Sequence, residues 1–116
     1  MNILDKSDDE IIAIAGPWWA NLVKYSNNKN YLMFIEHFAK VLRPSANEME
    51  LGKQFARSDL AQNLSPEFDV LGTIRRGEHI TVLFKQRHKK QDGEWLGRMV
   101  LGYEDDEIRI FSVSIF

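Results

Sequence analysis

Three histidines, His37, His79 and His88, are the side chains of this 116-residue chain whose charge changes nearest neutral pH. They are the first candidates for acid–base chemistry. His37 falls on the flank of an apolar helical stripe, next to Val41. There it reads either as a half-buried histidine bonded to a backbone carbonyl or as a pocket acid/base, with Tyr31 or Tyr25 as hydroxyl donor. Asp69 would join that set if the strand carrying it were shifted in phase by one residue. His79 and His88 stand near strand ends and are expected to be exposed. The histidine spacing matches no metal-ligand pattern, and the chain has no cysteine, so no metal site is expected. Neither a glycine-rich nucleotide fingerprint, a P-loop, G-x-S-x-G nor H-E-x-x-H occurs, so no cofactor is expected.

A second kind of chemistry is apolar recognition. The stretch "AIAGPWWANLVKY", residues 13–25, places two tryptophans directly after Gly16-Pro17. With Phe34, Phe38, Phe84, Trp95, Met99 and Tyr103, the residues Trp18, Trp19 and Tyr25 form the candidate lining of an apolar ligand site. A third kind is phosphate contact by "KQRHKK", residues 85–90. No aromatic interleaves that run, and it ends a strand at a hairpin, so a solvated turn is the expected role and nucleic acid is not an expected partner.

The elements that must hold these residues follow from capping and periodicity. Ser7-Asp8-Asp9-Glu10 is a capping box with acids at the positive end of the helix dipole. Ile11, Ile14, Ala15, Trp18, Leu22 and Tyr25 then repeat at helical spacing, and the phase carries straight through Pro17. One helix bent at Pro17 is expected, with two helices as the alternative. Trp18 belongs to the main stripe and is expected in the core. Trp19 lies on a second stripe with Ile12 and Val23 and is expected at a cavity lip or a partner contact. "SNNKN", residues 26–30, is a turn. A second helix should run from Tyr31 to Leu42, stopped by Pro44, and a third from a capping box at Ser45–Glu48 to about Arg57. A short turn follows, from Ser58-Asp59 to Leu64.

From Phe68 the apolar period changes to two. Four strands are expected, over about 68–75, 79–88, 95–103 and 108–116, joined by hairpin turns. Helices first and an antiparallel meander second make an α+β domain, with N-terminal helices packed on a curved antiparallel four-stranded sheet in a cone-like, two-layer arrangement. Phe68, Val70, Ile74, Ile80, Val82, Phe84, Trp95, Met99, Leu101, Tyr103, Phe111, Val113 and Ile115 should face the core. The opposite face carries Leu83, Arg87, Leu96, Arg98, Val100 and Ile110. It is too apolar for a solvated surface, and a homodimer through this outer face is expected.

Composition sets the frame. The chain is 44% hydrophobic and 28% charged, with a net charge of −2, which suits one globular domain over residues 1–116 and gives no basic excess. Residues 1–6 are expected to be a flexible N-terminus. "MNILDKSDDE" has no apolar leader region, and no apolar run reaches the roughly 20 residues that span a bilayer, so a cytoplasmic protein without membrane contact is expected.

The order of elements resembles the nuclear-transport-factor-two-like (cystatin-like) superfamily. The likeness is carried by a bent first helix, shorter helices, long antiparallel strands reading "VLFKQRHKKQDGEWLGRMVLGY", and a last strand "DDEIRIFSVSIF". It covers roughly residues 17–116 and is greatest with small members of unknown function. The resemblance implies the cone fold and a common habit of dimerising through the sheet. Its enzymes place an Asp, His or Tyr pair inside the cone, whereas the expected core face here is apolar apart from Tyr103. The expected function is a non-enzymatic small module that homodimerises through its sheet and binds an apolar small molecule or a partner segment in the cavity. The alternative is a small isomerase, dehydratase or cyclase acting on a hydrophobic substrate through His37, Tyr31 or Asp69.

Overall fold

A computed structural model describes residues 3–116. It is an α+β fold whose helices pack on one face of a curved, open four-stranded antiparallel sheet. Helix α1, Asp8–Asn27, begins at the expected capping box: Ser7 Oγ accepts from the Glu10 amide, and Glu10 Oε1 accepts from the Ser7 amide. It runs unbroken through Pro17. Ala13 and Pro17 are both exposed, so the carbonyl that loses its helical partner faces solvent.

The buried stripe of α1 is Ile11, Ala15, Trp19, Leu22, Val23 and Ser26, rotated from the expected one. Trp19 therefore takes the core place expected of Trp18 and is also a wall of the cavity, as expected of it. Trp19 is 3% exposed and belongs to the core, while Trp18 is half-buried. A niche in the sheet explains the rotation. A Cβ on Gly97 would lie 2.5 Å from Trp19 Cζ2, so the missing side chain is the space the indole occupies. Ser26 joins the stripe because its hydroxyl donates to the Ala61 carbonyl, which satisfies a polar group inside the packing.

Helix α2 is only Tyr31–Phe34. The expected continuation to Leu42 is replaced by turns, because residues 37–39 pair with the sheet instead. Phe38 bridges Ile110 in parallel, with Ile110 N donating to the His37 carbonyl at 2.7 Å and Ala39 N to the Ile110 carbonyl at 2.8 Å. Helix α3, Glu48–Phe55, starts two residues beyond the expected cap: Asn47, not Ser45, accepts from the Glu50 amide. Helix α4, Asp59–Gln62, starts at Ser58 as expected.

The strands are β1 (Leu64–Arg76), β2 (His79–His88), β3 (Trp95–Glu104) and β4 (Glu107–Ile115), in the meander order β1-β2-β3-β4. Core alternation on β2 and β3 follows the sequence. Two bulges change it on the outer strands. An extra residue at Leu71 lets Thr73 oppose Val82, so Ile74 turns outward and is 44% exposed. An extra residue at Phe111 lets Ile110 oppose Leu101. Ile110, expected on the outer face, is thus a core residue at 1% exposure, and Phe111 packs outside against His79.

The first bulge also turns Arg75 toward the helices, opposite Ile80. Its guanidinium donates to the Leu4 and Lys6 carbonyls and to Asp8 Oδ1 at 2.7–3.0 Å. That clamp seats a 3-10 turn, Ile3–Asp5, with Ile3 fully buried against β2 and β3. This turn falls within the segment 1–6 that was expected to be flexible; Met1 and Asn2 lie outside the described residues.

Candidate functional site

Above the β4 end of the sheet the helices stand away from it and leave a half-open cavity of about 550 Å³. That volume lies within the roughly 300–1,000 Å³ range of small-molecule sites. Helix α1 contributes Trp19, Leu22, Val23 and Ser26. Phe34, Phe38 and Phe55 form another wall, with Phe34 edge-on to both other rings at centroid distances of 5.6 and 5.3 Å. Leu51, Ala61, Leu64 and the stretch Ser112, Val113, Ser114 and Ile115 of β4 complete most of the lining.

The remaining polar lining groups are serine hydroxyls and the amide of Gln54. Several hydroxyls are already bonded within the chain. Ser26 donates to the Ala61 carbonyl, Ser45 Oγ donates to the Leu42 carbonyl at 3.2 Å, and Ser58 Oγ accepts from the Ala61 amide at 3.1 Å. Among the described residues, no side chain lining the cavity is ionisable. Such a wall favours apolar occupants and offers a substrate no proton donor or acceptor of shifted pKa.

Trp19, Phe34 and Phe38 are the expected ligand residues that meet at this cavity. Trp18, Tyr25, Phe84, Trp95, Met99 and Tyr103 do not line it. Trp19 itself covers Phe84. Its ring stacks on Phe84 at 4.5 Å and 13°, and its Nε1 donates to Gln86 Oε1 at 2.9 Å. Phe84 and Met99 lie fully buried in the sheet's core. Sequence periodicity faced Val113 and Ile115 to the core but did not single them out as cavity lining, nor Ser26, Leu51 and Leu64, because these residues come together only through the packing of separate elements. A glycine in the interior of a strand, "LGRMV", was the readable signal for close approach at Gly97.

The acid–base candidates are dispersed. His37 lies outside the cavity, its ring stacked on Trp18 at 4.1 Å and 4°. Burial holds its pKa below the ordinary histidine value; Glu36 opposes this, and Arg109 adds to it. Tyr31 packs edge-on to Phe55. Asp69 points to the outer face, where it accepts from Arg87 Nη2 at 2.8 Å. His88, expected to be exposed, has a side chain only 2% exposed. The Lys90 amide donates to its Nδ1 at 2.9 Å, so the neutral ring carries its proton on Nε2 and donates to Asp59 Oδ2 at 2.8 Å. This pair ties β2 to α4. In the basic run, Lys85 is paired with Glu94 and Arg87 with Asp69.

The shift at His37 gives a pH dependence of definite sign. The unfolded chain binds its proton more tightly, so this group's contribution is fully present above the ordinary histidine pKa of about 6.5 and is lost as pH falls through the lowered folded value. Thermal melts of wild type and His37→Phe across that window should show the wild type losing more stability on acidification. Parallel losses would mean that His37 is not the group responsible.

Comparison with protein-family models, with curated proteins and with solved structures returns no match for this chain. Among the described residues, no helix is long and apolar enough to cross a membrane.

Proposed function

We propose that this chain is a non-enzymatic binding module of the nuclear-transport-factor-two-like kind, which holds an apolar ligand or partner segment in the helix–sheet cavity and dimerises through the outer face of its sheet. The carrying observation is the cavity of about 550 Å³ with walls of aliphatic and aromatic side chains and serines, of which Ser26, Ser45 and Ser58 are bonded within the chain and Ser114 Oγ is buried without a partner. The superfamily reading rests on the order of elements, from a long first helix to a four-stranded meander. An isomerase or dehydratase reading needs a base facing the substrate, and His37, Tyr31 and Asp69 do not line the cavity.

The dimer rests on the uncovered sheet face. Leu71 and Phe116 are 53% and 65% exposed, the bulge adds Ile74, and Leu83, Leu96 and Val100 are half-buried between them. Its cations are paired or stacked, with Arg87 on Asp69 and Arg98 over the Phe116 ring. Joining two such faces buries apolar area with Arg87 already paired, and keeps Arg98, which has a ring and no carboxylate beside it, at the solvated rim.

Native mass spectrometry of the purified chain tests both parts together. A dimer carrying a co-purified apolar compound or peptide is the expected spectrum. Leu83→Lys combined with Leu96→Lys should give a monomer with an unchanged circular dichroism spectrum, because both side chains lie outside the core. A wild-type monomer in sedimentation at tens of micromolar would remove the dimer. An empty chain whose tryptophan emission no apolar compound or peptide alters would remove the binding role.

A further inference from the structure

The free edge of β4 forms part of the cavity wall, and its hydrogen-bonding direction can be read from its pairing. Phe116 and Leu96 exchange both backbone hydrogen bonds, N to O, at 2.8 and 3.0 Å. In an antiparallel ladder such pairs alternate with pairs whose N–H and C=O groups point outward. With Ser114 opposite Arg98 and Ser112 opposite Val100, the outward members are Ile115, opposite Gly97, and Val113, opposite Met99. Two donors and two acceptors at strand spacing therefore face away from β3, along a segment that lines the cavity.

The chain already uses the neighbouring part of this edge in the same way. Ile110 gives its outward N–H to the His37 carbonyl and takes the Ala39 N–H, in a parallel bridge centred on Phe38. After Ala39 the chain turns away, and the edge continues uncovered past Val113. Phe38, the side chain at that bridge, is itself a cavity wall.

We propose that the occupant of the cavity is an extended peptide segment of a partner protein, which adds to β4 as a fifth strand at Val113 and Ile115 and seats alternate apolar side chains in the cavity. This rests on the binding role proposed above and names its ligand. A strand offers N–H and C=O groups at the spacing of the edge, and its period of two sends every second side chain toward the same wall. A small apolar molecule would leave the edge groups unanswered. A second copy could offer only its own strand edge, and the oligomeric state of Ile115→Pro separates that case.

The test is selection from a displayed library of random linear peptides, followed by an N-methyl scan of the enriched sequence. Enriched peptides should alternate apolar residues. Methylating amides of one parity should weaken binding about threefold to tenfold per position, the worth of a backbone hydrogen bond, while the other parity tolerates it. Ile115→Pro removes one outward donor and should weaken binding by a similar factor relative to Ile115→Ala, which controls for lost packing. No enriched peptide, a scan without period two, or Ile115→Pro equal to Ile115→Ala would overturn the strand proposal. A changed oligomeric state in Ile115→Pro would overturn it too, by giving the edge to a second copy. If dodecanol still quenches tryptophan emission in any of these cases, the cavity remains a ligand site and the strand proposal fails alone. If neither peptide nor dodecanol binds, the binding role falls with it.

Discussion

Gly97→Ala is expected to destabilise the chain by about 3 kcal/mol, far more than one methyl group on a strand would suggest. The added Cβ would lie 2.5 and 2.6 Å from Trp19 Cζ2 and Cη2 and 3.3 Å from the Phe84 Cβ. The indole cannot swing aside freely. One face is stacked on Phe84, its Nε1 is bonded to Gln86, and its backbone is in the middle of α1. Relief must come from lifting α1 off the sheet or from breaking the Trp19–Gln86 bond, which would leave a buried amide oxygen short of a donor. Chemical denaturation of the two proteins measures the loss. The double variant Gly97→Ala, Trp19→Ala should recover most of the methyl's cost, since the clash partner is gone. Additive losses would show that Gly97 matters for backbone reasons instead.

That pairing also shows where sequence reading reached its limit. Capping chemistry is local, so Ser7, Glu10 and Ser58 announced their helices correctly. The period-two alternation placed β2 and β3 in phase because no residue interrupts their ladder. The outer strands failed at Leu71 and Phe111, where one extra residue changes which side chains share a face; Gly72, at φ 156°, marks the first bulge, and no glycine marks the second. Ile110 and Ile74 exchanged faces for that reason. The helix expected over 31–42 had a sound apolar stripe, but a non-local partner, the free edge at Ile110, outcompeted its last two turns. The core place went to Trp19 and not to Trp18 because two stripes of similar apolarity were available to α1. The niche at Gly97, on a strand far away in sequence, decided between them. The cavity was legible as an apolar space, from its phenylalanines and Trp19, but its β4 wall was not. A strand edge is a property of pairing, and alternation along the chain describes only the faces.

Trp19→Ala should be the more damaging of the two single changes, costing about 3–5 kcal/mol, the range for removing a buried large aromatic. Three losses combine. The ring's contact with Phe84 goes, Gln86 Oε1 loses its donor, and the niche over Gly97 becomes a void. Gln86 is fully buried, and its Nε2 stays committed to the Ser65 and Arg87 carbonyls, so it cannot rotate to solvent without abandoning those bonds. Trp19→Phe separates the terms: it retains most of the ring against Phe84 and should cost about 1–3 kcal/mol less than Trp19→Ala, while still orphaning the amide oxygen. Adding Gln86→Leu to Trp19→Phe should then recover part of the remaining loss only if the unpaired oxygen is its cause, although the Ser65 and Arg87 carbonyls give up a donor in the process. Because Trp19 is also a wall of the cavity, the functional consequence runs the other way from stability. The void opens onto the site, and a longer apolar side chain than the wild type accepts should gain affinity in Trp19→Ala. Unfolding curves and peptide titrations on the same protein samples would read both effects. A variant that loses stability while its ligand preference stays fixed would mean that the indole holds α1 to the sheet without shaping the space beside it.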